Sequence, residues 1–213
     1  MKKSILKVTG ALILALGTFV SCTSDEDGPS STFVVYANNF QGTISDGQVI
    51  LNAGTVYKLT GKIQVNDGAT LTIPAGTVIE GVGGTASYIA IAQGGKLNVN
   101  GTSSNPVVFT SGLATKAPGD WGGLVICGRA PINRVSGGTG TAQSEVADLT
   151  YGGTNANDNS GSIRYLRIEY AGAAFNSEKE FNGLSLFGVG SGTTFEYVEA
   201  LNGSDDGFEF FGG

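Results

Sequence analysis

The sequence predicts an all-β fold, a right-handed parallel β-helix, on three observations. The 213 residues are rich in Gly, Thr, Asn and Val and hold no stretch with a sustained helical period. Apolar residues recur at a fixed offset: Ile63-Gln64-Val65 returns 26 residues later as Ile89-Ala90-Ile91, with Gly68 mapping to Gly94, Leu71 to Leu97 and Ile73 to Val99. A glycine-bounded apolar strand occurs three times, at Gly123 to Gly128, Gly183 to Gly188 and Gly207 to Gly212. Short strands separated by Gly, Asn and Asp turns and repeating in this way suit a solenoid, whose stacked coils merge their inward Val, Ile, Leu and Phe into one core. A β-sandwich is the alternative, but it does not require similarity at a fixed offset.

The chain divides into residues 1–21, 22–32 and 33–213. Lys2, Lys3 and Lys7 precede an apolar run from Val8 to Val20, and Ser21 places a small residue before Cys22, the pattern of an export signal. The run is shorter than the roughly 20 residues a spanning helix needs. Phe19-Val20-Ser21-Cys22 resembles the lipobox of bacterial lipoproteins, with Phe19 where Leu is usual. That resemblance implies cleavage before Cys22 and acylation of Cys22, palmitate included; ordinary secretion with an unmodified Cys22 is the other reading. Residues 22–32 then form an acidic tether. Within it, Thr23 to Asp27 resembles the surface-export signal of lipoproteins in Bacteroidota, although a merely solvated linker has the same composition. The expected place is the cell outer membrane, lipid-anchored and facing outward.

Composition narrows the chemistry of residues 33–213. The whole chain carries −6, and without the three signal-peptide lysines the balance is nine basic against eighteen acidic residues. Nucleic acid is therefore not an expected partner. The sequence contains no histidine, which excludes Ser-His-Asp and Cys-His catalysis. Cys127, in the run Leu124 to Cys127, reads as a small core hydrophobe.

Strand similarity also sets a register. Ile163 to Arg167 matches Phe195 to Glu199, so Arg164 is expected against Glu196 and Arg167 against Glu199 on adjacent coils. The chain stops inside the third glycine-bounded strand, so further coils are expected beyond Gly213. The glycine pairs at Gly83-Gly84 and Gly137-Gly138 read as turns, because no lysine and helix follow to make a phosphate loop.

Three groups of residues are candidates for function. Asp205, Asp206 and Glu209 gather carboxylates at a turn and strand start, as hydrolysis of a glycosidic bond would need; against this, neighbouring strand residues point to opposite faces, and turn aspartates often serve the backbone. Asn155, Asn157, Asp158 and Asn159 space oxygens as calcium loops do, but Asp158 is the only charge among them, so a polar loop competes with a calcium site. Trp121, Tyr165 and Tyr197 offer rings on which sugars stack, or else simply pack strands together.

The strings GDWGGLVICGRAPIN (Gly119 to Asn133), SIRYLRIEYAG (Ser162 to Gly172), NGLSLFGVGSGTTFEYV (Asn182 to Val198) and SDDGFEFFGG (Ser204 to Gly213) resemble a widespread family of secreted proteins and lipoproteins of Bacteroidota. The resemblance runs from about Val56 to the end and implies a parallel β-helix. Transporter labels carried by some similar sequences do not suit a chain without an apolar segment of spanning length after the signal. The leading expectation is a non-catalytic, surface-anchored β-helix that binds glycans or contacts host or matrix surfaces, with no cofactor. A polysaccharide lyase or glycoside hydrolase, with calcium as its one conceivable cofactor, and a structural envelope component are the alternatives.

Overall fold

A computed structural model describes residues 29–133 and 140–213. The signal segment, Cys22, most of the tether and Gly137-Gly138 lie outside the described residues.

The chain winds as a three-sided coil. The first turn uses β1 (Phe40–Ile44), β2 (Gln48–Ile50) and the first half of β3 (Val56–Val65). The second uses the rest of β3, then β4 (Thr70–Pro74) and β5 (Val78–Gly81). The third uses β6 (Ile89–Ile91), β7 (Lys96–Asn100) and β8 (Val107–Ser111). The fourth opens with β9 (Leu124–Cys127) and leaves the coil for an excursion holding β10 (Ala142–Gln143) and β11 (Thr150–Tyr151). It returns through β12 (Gly161–Glu169), and β13 (Leu184–Phe187), β14 (Thr194–Leu201) and β15 (Phe208–Phe211) complete the path.

Every ladder between coils is parallel, which makes this a parallel β-helix as the repeats predict, consistent with the expected right-handed winding. The predicted offset is the observed register: Ile63 pairs with Ile89, Leu71 with Leu97 and Ile73 with Val99. The three glycine-bounded strands also stack on one another, Leu124 beside Leu184 and Leu184 beside Phe208. Alternation sends Ile63, Ile89, Leu124 and Leu184 inward into one continuous buried core.

Corners decide where outward side chains go. In β12 the residues up to Arg164 pair with β7 and those from Leu166 pair with β8, so the strand bends at Tyr165, which adopts φ +50°. One coil further, Tyr197 repeats the bend at φ +56°. Left-handed backbone costs an L-residue about 1–2 kcal/mol, and here two stacked tyrosines bear it together.

The face formed by β3, β6, β9, β13 and β15 has a second layer. Residues of the excursion, Ile132, Val146 and Tyr151, bury the outward side chains Ala90, Val125, Cys127 and Phe187 in a smaller apolar cluster. Cys127 packs there, and burial pushes its thiol up to about 12, so its role is core packing as expected. At the other end, the backbones of Pro29 and Ser31 bond Gln48 and Thr32 bonds Asp46, so the tether's last residues join the first coil. Residues 29–32, expected in the tether, thus pack on the first coil.

Candidate functional site

Tyr165 and Tyr197 come together as the strand similarity implies. Their rings stack 4.3 Å apart at an interplanar angle of 11°, and Tyr197 is 67% exposed. On either side of the pair, Arg164 meets Glu196 at 2.9 Å and Arg167 meets Glu199 at 2.8 Å. A shallow depression of about 160 Å³ is lined by both rings together with Thr102, Pro106, Leu166, Arg167 and Glu199. An exposed ring flanked by charged donors and acceptors can hold a sugar, its apolar face on the ring and its hydroxyls on the ion pairs.

Trp121 does not join that surface. It is fully buried, its indole N–H donates to the Glu169 carbonyl at 2.8 Å, and Phe109 meets it edge-on at 6.4 Å. The ring fits because Gly81 lies on the coil below: a Cβ there would stand 2.4 Å from Trp121 Cβ. Trp121 is a core residue, and its expected place in a ligand site is corrected accordingly.

The polar loop is likewise committed to the protein. Asn155 Oδ1 accepts from the Asn157 N–H, Asn159 Oδ1 from the Gly161 N–H, and Asn157 Oδ1 from the Ser191 hydroxyl. Asp158 is buried and accepts from the Ser160 hydroxyl. These bonds close turns and tie the loop to its neighbours, as a polar loop does. Among the described residues, no group of three Asp, Glu or Cys side chains is placed to hold a metal ion.

Of the three expected carboxylates, Asp205 and Asp206 are exposed at the turn and make no side-chain hydrogen bond among the described residues, while Glu209 points outward from β15. One carboxyl neighbour of Glu209 was not visible in the sequence: Glu145, from the turn between β10 and β11, whose charge acts on it. Burial raises the pKa of both carboxyls above the ordinary glutamate value; the Glu145 charge raises Glu209 further, and Asp205 adds to both. Glu180 adds to Glu145 and Asp206 to Glu209, while Lys179 and the Glu209 contact pull Glu145 the other way. The buried Asn182 donates from Nδ2 to Glu209 and to Ser185 Oγ, and its Oδ1 accepts nothing among the described residues. A carboxyl raised in this way suits a general acid, and cleavage of a glycosidic bond needs a second carboxyl roughly 5 Å or more away.

A cleft lies on the same flank, between the 144–149 turn and a finger at 173–181. Phe175 is 50% exposed there, and Phe181 packs at a tilt against both Phe175 (5.2 Å) and Tyr88 (4.9 Å). The cleft measures about 410 Å³ and has Lys62 and Asp148 at its edges. Its residues come from strand β3 (Lys62) and from loops of other coils, so no repeat in the sequence brings them together.

Residues 42–213 match the model of a family described as a pectate-lyase like beta helix domain. No curated protein and no solved structure matches the chain.

Proposed function

The chain belongs to the pectate-lyase-like β-helix family, and from that premise we propose that it is an exported, lipid-anchored protein of the cell surface whose β-helix binds polysaccharide on its flank without cleaving it. The observation that carries this reading is the exposed Tyr165–Tyr197 stack between two inter-coil ion pairs. Anchoring through Cys22 places the protein at the outer membrane, and the acidic tether spaces the domain from anionic lipid. The partners are polysaccharide or a glycan-bearing host or matrix surface.

A glycan panel tests the reading. Binding without shortened products, weakened by Tyr197→Ala, supports it; unchanged binding by Tyr197→Ala removes this site from it. Brief protease treatment of intact cells, with and without Cys22→Ala, tests the anchor: wild-type protein is shaved, and protection of the wild type refutes the surface location.

Polysaccharide cleavage is the second reading, favoured by the raised carboxyls of Glu145 and Glu209, with Asp206 beside them. Shortened products that vanish in Glu209→Gln would establish it, whereas intact glycan recovered after long incubation refutes it.

A further inference from the structure

The cleft beside Phe175 has features that neither the stacked tyrosines nor the core requires. Phe175 is a large apolar side chain left half open to solvent at the tip of a well-bonded finger: its N–H donates to the Lys179 carbonyl at 2.8 Å, Ala174 pairs with Glu180, and the Phe181 N–H donates to the Ala173 carbonyl. The opposite wall is held as firmly. The Ser144 N–H donates to the Leu149 carbonyl at 2.8 Å, the Leu149 N–H returns a bond to Ser144 Oγ, and that hydroxyl donates to the Val146 carbonyl. Between these bonds Ala147 and Asp148 are forced to φ +67° and +49°. Two consecutive non-glycine residues in the left-handed region are uncommon, and such strain concentrates where a chain is shaped around a site.

We propose that this cleft is a second saccharide site, and that it takes an uncharged pyranose. Its volume, about 410 Å³, falls within the roughly 300–1,000 Å³ of small-molecule sites. Phe175 and Tyr88 present aromatic surface for the C–H face of a sugar ring, with buried Phe181 fixing both. Lys62 and Asp148 supply one donor group and one acceptor group for hydroxyls, and their charges cancel.

Charge selects the class of sugar. Glu145 lies two residues before Ala147 on the same turn and is coupled to Glu180, Asp205 and Glu209, with Lys179 the one cation in that set. The flank next to the cleft is therefore strongly negative. A polyuronate laid across it meets like charge along its length, whereas a neutral chain meets none. The inference thus separates this protein's preference from the acidic polysaccharide in its family's name. It does not depend on the Tyr165–Tyr197 reading, because the two sites share no residue.

Titration calorimetry and chemical-shift mapping with neutral cello-, xylo- and galacto-oligosaccharides, and with oligogalacturonate with and without calcium, test the proposal. A neutral oligosaccharide binds, Phe175→Ala weakens it roughly tenfold, Asp148→Asn also weakens it, and Tyr197→Ala leaves this component unchanged. Phe175 is half exposed, so the variant folds, and an unchanged melting temperature verifies this. Binding of oligogalacturonate alone, or neutral binding insensitive to Phe175→Ala, overturns the proposal. If neutral binding falls only with Tyr197→Ala, the cleft is refuted and the flank reading survives.

Discussion

Arg164 and Glu196 stand side by side on neighbouring coils, Nη1 to Oε2 at 2.9 Å, although 32 residues separate them in the chain. Arg167 and Glu199 repeat the relationship three residues on, and between the two pairs the tyrosines stack. All four charged side chains are 43–50% exposed, so the ion pairs define register more than they stabilise the fold. In a double-mutant cycle, Arg167→Glu and Glu199→Arg should each lower the urea midpoint, and the swapped double variant should recover most of the loss. The coupling should not exceed about 1 kcal/mol. No recovery in the double variant would show that the pair does not report register.

Trp121 predicts the largest single loss of stability. Trp121→Ala removes a fully buried ring and should cost about 3–5 kcal/mol in chemical unfolding. Gly81→Ala should cost about 1–3 kcal/mol, because the added methyl lies against Trp121 Cβ on the next coil. The paired variant Gly81→Ala with Trp121→Ala should be less destabilised than the two losses added together, since the methyl then has room. Strict additivity would contradict the contact.

Cys127 predicts a silent thiol. With its pKa pushed up to about 12 by burial, it should resist alkylation at pH 8 in the folded protein and react at once in urea. The folded value lies above the ordinary thiol value, so the protonated group favours the folded state. That stability is complete below the ordinary value, 9.0, and is lost as pH rises from there toward about 12. Cys127→Ala should flatten this alkaline slope.

Glu145 and Glu209 predict an acid-side dependence of the same sign. Both folded values are raised above 4.5, so the stability they contribute is present below the ordinary glutamate value and falls as pH rises through the raised values. Glu209→Gln should therefore stabilise the protein at pH 7 relative to pH 4, measured by urea unfolding at both. An equal effect at the two pH values would contradict a raised Glu209 carboxyl.

How much of this was legible in the sequence follows from which contacts repeat. Ile63 over Ile89 and Leu184 over Phe208 were visible because each coil places the same kind of residue on the same spot, so the register is written as similarity at an offset. Arg164 opposite Glu196 was visible for the same reason, as complementary charge in matching strands. Glu145 was not. It enters from the excursion, 64 residues before Glu209, and no repeat announces a contact that occurs once. Trp121 shows the limit in another way: its sequence left sugar stacking and packing equally open, and the close approach of Gly81 one coil below is seen only in the structure.

The sequence alone determined the coiled architecture, the stacking register and the exclusion of histidine chemistry, since parallel stacking in a solenoid makes neighbours of equivalent residues and composition is indifferent to folding. Tertiary structure alone decided that Trp121 is core, that Tyr165 and Tyr197 share an exposed face, and that Phe175, Tyr88 and Asp148 enclose a cleft. Those outcomes depend on corners and on the excursion between β9 and β12, where chain geometry, not periodicity, chooses which side chains meet.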